Sequence, residues 1–186
     1  PYCSKLRTLT PMPKAPAKAK FKAELTSDPP GSGWHFIVVE AKMAERFPKE
    51  GGSRRVICSI NGHEGFQCAL MPSGGAFYIM VSKDKRARFG IAAGDTIAVE
   101  LLQDTSEFGA PMPEELEEVM NQDPEGRRYF DALTLGGKRS MMYYIGKIKD
   151  VDRRIEAALI FMEHLKKNDG KLNRLELSKE LKRPAL

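Results

Sequence analysis

The amino-acid sequence predicts a mainly β fold with an appended α part: a small pseudo-two-fold β-barrel built from two β-β-α-β repeats, then a C-terminal helical module. Three observations lead there. The stretch Gly74–Leu102 reads as an apolar run from Phe77 to Val81, a basic helical turn from Ser82 to Phe89, a glycine-bracketed turn from Gly90 to Asp95, and an alternating run from Ile97 to Leu102. An earlier stretch repeats it, with Trp34 falling on Ala76, Ile37 on Ile79, Val39 on Val81, Arg46 on Arg88 and Phe47 on Phe89. After Asp104 the apolar period changes from that of a strand to that of a helix. Two short units that each leave one apolar face open can bury those faces against each other, and closing them into a barrel leaves few free strand edges.

In chain order, residues 1–19 are rich in Pro, Ala and Lys and read as a flexible lead-in; the barrel domain is expected at 20–104, the helical module at 105–170 and a tail at 171–186. Phe21, Ala23 and Leu25 alternate with charged residues, which makes a half-exposed strand. The cluster from Ser27 to Gly33 is a turn, because its prolines lack ladder donors. The run Trp34–Val39 is apolar on nearly both sides and is expected to be central and covered. Glu40–Phe47 gives a short helix with Met43 and Phe47 on one side, ended by Pro48 and Gly51-Gly52, and alternation resumes from Arg54 to Ile60.

The junction between the repeats has a register consequence. A two-residue Asn61-Gly62 hairpin would put Val56, Cys58 and Ile60 on the opposite face from Phe66, Cys68 and Leu70. Burial of both sets needs an odd loop, expected as Ile60-Asn61-Gly62 with Gly62 left-handed and a bulge. Cys58 and Cys68 then share a face without being directly opposed, which argues against a disulfide.

Beyond Asp104, Leu116, Val119 and Met120 recur at helical spacing after Pro113. A second helix is expected from Asp123-Pro124, burying Tyr129, Phe130 and Leu133 and stopped by Gly136-Gly137. The longest helix carries the stripe Val151, Ile155, Ala158, Met162 and Leu165 over about four turns and ends at Asn168-Asp169-Gly170. Leu172, Leu175 and Leu181 in the tail suit one more short helix.

Three cysteines and three histidines stand at no metal-ligand spacing, so free thiols in a reducing compartment are expected, with no metal and no cofactor. No apolar run approaches the length of a membrane-spanning helix and the N-terminal stretch does not read as a secretory signal, so a cytoplasmic location is the expectation. Between Glu107 and Glu125 there are seven acidic residues and no basic one, a run that suits either an intramolecular docking surface or a linker leading into a helix.

The strings FKAEL, GWHFIVV, INGHEGFQCALMP, GGAFYIMVSKDKRARFG and GDTIAVELLQD resemble an uncharacterised bacterial domain that forms a double-split β-barrel. The stretch from Pro111 to Leu165 resembles the helical module labelled bacteriocin-protection, or YdeI/OmpD-associated. The turn RFGIAAGDTIAVEL is also similar to the signature of AbrB-type swapped-hairpin regulators, a likeness that bears on fold more than function.

The chemistry-bearing residues are basic. Lys83, Lys85, Arg86 and Arg88 crowd one helical turn, Arg54 and Arg55 open a strand, and Lys147, Lys149, Arg153 and Arg154, with Lys138 and Arg139, dot the helical module. Such groups suit contact with an anion or with nucleic acid, while the plainer reading is a solvated face. The bacteriocin-protection resemblance implies a stress-linked role through another protein or an anionic group. Ser73-Gly74-Gly75 lacks the Lys-Ser/Thr of a phosphate loop and reads as a hairpin turn, His35 as a core or rim histidine, and Glu40, Asp95 and Asp104 as caps at element ends. The function expected is a non-enzymatic binding protein whose partner is another protein or an anionic ligand. The alternatives are an AbrB-like DNA-binding regulator and a small-molecule-binding barrel.

Overall fold

The computed structural model describes residues 15–28 and 33–182, so that Cys3 and part of the Pro-Gly turn after Ser27 lie outside the described residues. The first half of the barrel is β1 (Lys18–Ser27), β2 (His35–Val39), the short helix α1 (Ala41–Ala44), the two-residue strand β3 (Lys49–Glu50) and β4 (Ser53–Ile60). The second half is β5 (Phe66–Ser73), β6 (Ala76–Met80), α2 (Lys83–Phe89) and β7 (Thr96–Gln103). The strands run β4-β5-β6-β2-β1-β7, and β7 returns to pair with β4, so six antiparallel strands close a barrel while β3 forms a small hairpin with β4. Closure gives the six long strands a partner on both sides.

Exchanging β1 with β5, β2 with β6 and β4 with β7 leaves this set of pairings unchanged. Ile37 pairs with Ile79 at the middle of the β2–β6 contact, and both are fully buried. Corresponding positions do corresponding work: Leu25 and Leu70, and Val56 and Ile97, all point into one core. Each such side chain contributes about 1.5–3 kcal/mol by leaving water. The barrel interior is thus filled by side chains.

The hairpin between the repeats has the expected parity with a different loop. The backbone N–H of His63 donates to Ile60 O at 2.9 Å across Asn61 (φ 49°) and Gly62 (φ 76°), which is a two-residue turn. The register then pairs Cys58 with Phe66 and Val56 with Cys68, so the extra residue falls after the turn and not at Ile60. It is accommodated at Gly65, where a Cβ would stand 2.5 Å from Ile57 Cγ2; only glycine lets the bulged strand lie that close to its neighbour. Cys58 and Cys68 are free thiols on one face, diagonal to each other.

One expectation for the barrel is corrected. β2 is central, between β1 and β6, but its outer face is not covered: Val38 is 40% and Trp34 66% exposed. Neighbouring Met71 is exposed as well, and the half-buried Phe36 and Tyr78 rings meet edge to face at 5.1 Å.

The helical part is α3 (Glu114–Gln122), α4 (Pro124–Ala132), α5 (Leu135–Gly146), α6 (Val151–Lys167) and α7 (Arg174–Glu180). It has its own core, in which Leu116, Met120, Phe130, Met141, Ile145 and Leu165 are buried. Gly136-Gly137 does not stop a helix but begins α5, because Thr134 caps it: the Gly137 N–H donates to Thr134 Oγ1 at 3.2 Å. On α6 the stripe is displaced toward the C-terminus. Ala158, Met162 and Leu165 are buried together with Ala157 and Phe161, whereas Val151 and Ile155, nearer the N-terminal end, are exposed. In the tail Leu177 is buried, and Leu175 is 80% exposed. The acidic run docks on α6, with Glu115 2.7 Å from Arg154 and Asp123 2.8 Å from Lys166. No helix among the described residues is long and apolar enough to cross a membrane.

Candidate ligand groove

The helical part holds a groove of about 370 Å³ between α5 and α7, both of which pack on α6. Its floor is apolar and comes from three elements: Met141 of α5, Phe161 of α6 and Leu177 of α7, all buried. Leu172 and Leu181 complete the apolar wall. The rim is polar, with Ser140 and Tyr144 on α5 and Arg174, Ser178 and Lys182 on or just beyond α7. Positions 174, 177, 178, 181 and 182 follow helical spacing, which is why one short amphipathic helix presents both wall and rim.

α7 is held in place by a polar latch on its other side. Nε2 of His164, a residue buried on α6, accepts the backbone N–H of Asn173 at 3.1 Å, so its Nδ1 is the nitrogen that donates to Glu180, at 2.7 Å. Lys167 lies 2.5 Å from Glu176 and 3.4 Å from Glu180. The hydrogen bond from Lys167 holds the Glu176 carboxyl below its ordinary pKa and Glu176 in turn raises that of Lys167. Both acidic residues of α7 are thereby turned to α6, while Arg174 and, just beyond the helix end, Lys182 line the groove. Among the described residues neither Arg174 nor Lys182 pairs with a carboxylate.

A second polar cluster joins the helical part to the barrel. Arg55 of β4 donates to Gly109 O and, at 3.1 Å, to Tyr143 Oη, while Arg139 of α5 donates to Phe108 O at 2.5 Å. The buried Asp104 accepts the Ser106 N–H at 3.0 Å and the Gln67 amide at 3.1 Å. Burial first, and the neighbouring Arg55 charge second, lower the pKa of Arg139. Gly109 lies so close, a Cβ there being 2.9 Å from Arg55 Nε, that the two guanidinium groups grip the connecting segment.

Residues 21–101 match the family described as domain of unknown function (DUF1905), and residues 110–168 match the one described as bacteriocin-protection, YdeI or OmpD-associated (OmdA). The chain is a DUF1905 domain followed by an OmdA domain. No curated protein matches the chain. The helix α7, one wall of the groove, follows the residues matched to OmdA.

The basic residues singled out from the sequence are not brought to one place. In the DUF1905 barrel, Arg54 donates to Phe47 O and lies 5.9 Å from the centre of the Phe77 ring, Arg55 grips the connecting segment, and Arg88 is 2.7 Å from Glu64. Lys85 stands 4.7 Å over the Phe66 ring, and Lys83 and Arg86 have no carboxylate partner among the described residues. In the OmdA domain, Arg153 pairs with Glu156 and Arg154 with Glu115, Lys138 stands over the Phe108 and Phe130 rings, and Lys147 and Lys149 are exposed. Arg174 and Lys182 were not among the residues singled out. The signal that could have found them is the spacing they share with Leu177 and Leu181.

Proposed function

We propose that the chain is a non-catalytic binding protein whose groove between α5 and α7 receives a ligand with an apolar body and a negative charge. The observation that carries this reading is the groove itself: about 370 Å³, apolar below, with two cations on its rim that no carboxylate among the described residues neutralises. That volume is within the range of small-molecule sites. The OmdA description supports a protective role, exerted on this reading by binding. We divide the chain into a barrel at 20–104 and a helical module at 105–170, with the tail from 171 supplying a groove wall. We also read the barrel halves as copies of one segment, on the strength of their matching order and pairings.

Titrating the full chain with anilinonaphthalene sulfonate, an aromatic anion, tests the reading. A saturable fluorescence rise with one dye per chain is expected, absent in Ser178→Trp, which fills the groove from the exposed side of α7. Absence of saturable binding, or binding that Ser178→Trp leaves unchanged, refutes it. The second reading is nucleic-acid contact through α2, supported by Lys83 and Arg86 lacking carboxylate partners among the described residues. It requires retention on a DNA column that falls steeply with salt and is lost in the Lys83→Ala, Arg86→Ala double variant.

A further inference from the structure

We infer that the groove between α5 and α7 takes a free alkyl carboxylate, a single carboxylate on an unbranched hydrocarbon chain. The inference rests on the reading of that groove as a binding site and names its ligand class. Three features of the site lead to it.

The first is charge sorting on α7. Glu176 and Glu180 are consumed by Lys167 and His164 on the α6 side, which leaves Arg174 and Lys182 as the helix's contribution to the groove. A cation is repelled by them and a neutral group can accept only a hydrogen bond, whereas an anion gains the hydrogen bond and the opposite charge together. The second is the spacing of those cations. They are eight positions apart, roughly 12 Å along a helix axis, with Leu177 and Leu181 between them. Phosphate-type dianions are normally clamped by several donors at once; here each end of the groove offers one cation, which matches one carboxylate. The third is the floor. Met141, Phe161 and Leu177 come from three helices and present an apolar trough, with no buried polar side chain among its described lining residues, which suits hydrocarbon and rejects a polar body. Gly137 lets the start of α5 pack closely on the apolar wall, since a Cβ there would stand 3.3 Å from Leu172 Cδ1.

The test is isothermal titration of the full chain with octanoate, decanoate and dodecanoate below their micelle concentrations, with dodecylamine and dodecanol as comparators. Affinity is expected to rise by about fourfold for each methylene added, the factor that corresponds to burying one CH₂, until the trough is full. Dodecylamine is expected to bind at least tenfold more weakly than dodecanoate. The Arg174→Ala, Lys182→Ala double variant should weaken dodecanoate about tenfold and dodecanol much less. Carboxylates that neither bind nor displace anilinonaphthalene sulfonate, while the dye still binds, overturn the ligand class and leave the groove reading standing. If the dye fails as well, the groove reading falls with it. Equal binding of dodecylamine, or indifference to the double variant, overturns the inference. So does capture of the chain by phosphatidylglycerol vesicles without uptake of free carboxylate, because the occupant is then a membrane surface. A chain ending at Lys182 that binds tenfold tighter overturns it too, because the last four residues are then the native occupant of the groove.

Discussion

Asp123 does two things at the α3–α4 corner, and two substitutions separate them. Its Oδ1 accepts the Gly126 N–H at 2.9 Å, capping α4, and its Oδ2 lies 2.8 Å from Lys166 of α6. Asp123→Asn keeps the cap and removes the charge. Because the two side chains remain 22% and 33% exposed, the ion pair is worth about 0.5–1 kcal/mol. Asp123→Ala also removes the cap, worth about 1 kcal/mol, and leaves the N–H of buried Gly126 unpaired, so a total loss of about 1.5–2 kcal/mol is expected. Urea unfolding followed by far-ultraviolet circular dichroism measures both. The pH dependence has a definite sign. The hydrogen bond from Lys166, with help from the Gly126 N–H, lowers the Asp123 pKa, so the stabilisation is fully present above the unfolded value near ~3.9 and is lost as pH falls through the folded value. The gap between wild type and Asp123→Asn should therefore be constant at neutral pH and close in acid. A variant as stable as wild type at neutral pH, or a gap indifferent to acid, refutes the reasoning.

Arg55→Ala should loosen the joint between barrel and helical part, since Gly109 O loses its donor and that residue is buried; a cost of about 1–3 kcal/mol should appear as faster proteolytic cutting within residues 105–110, with the barrel fragment itself left resistant. Unchanged cutting would show that the contact holds nothing. The thiols should differ in reactivity. Hydrogen bonding to Cys68 and burial push the Cys58 thiol pKa far up, so in the folded protein a maleimide should label Cys68 much faster than Cys58, with urea removing the difference. Comparable native rates would contradict the burial of Cys58.

What could be read from residue order alone were the features that depend on local periodicity. Alternation in Phe21–Leu25 and Val56–Ile60 marked inward faces, and the parity of the Cys58 and Cys68 faces ruled out a plain two-residue hairpin, while the acidic run left docking surface and linker open until its contacts with α6 were seen. Other features were settled by what lies beside each element. Gly136-Gly137 looks like a stop until Thr134 supplies a cap, and Val38 looks buried until the barrel closes without covering β2. Arg55 and Arg139 look like surface charge, yet they hold a backbone segment that no spacing rule links to them. The groove belongs to this second kind. A helix sequence shows which residues share a stripe, but whether Arg174 and Lys182 face open space or a carboxylate depends on where α5 and α6 stand, and that is decided only when the chain packs.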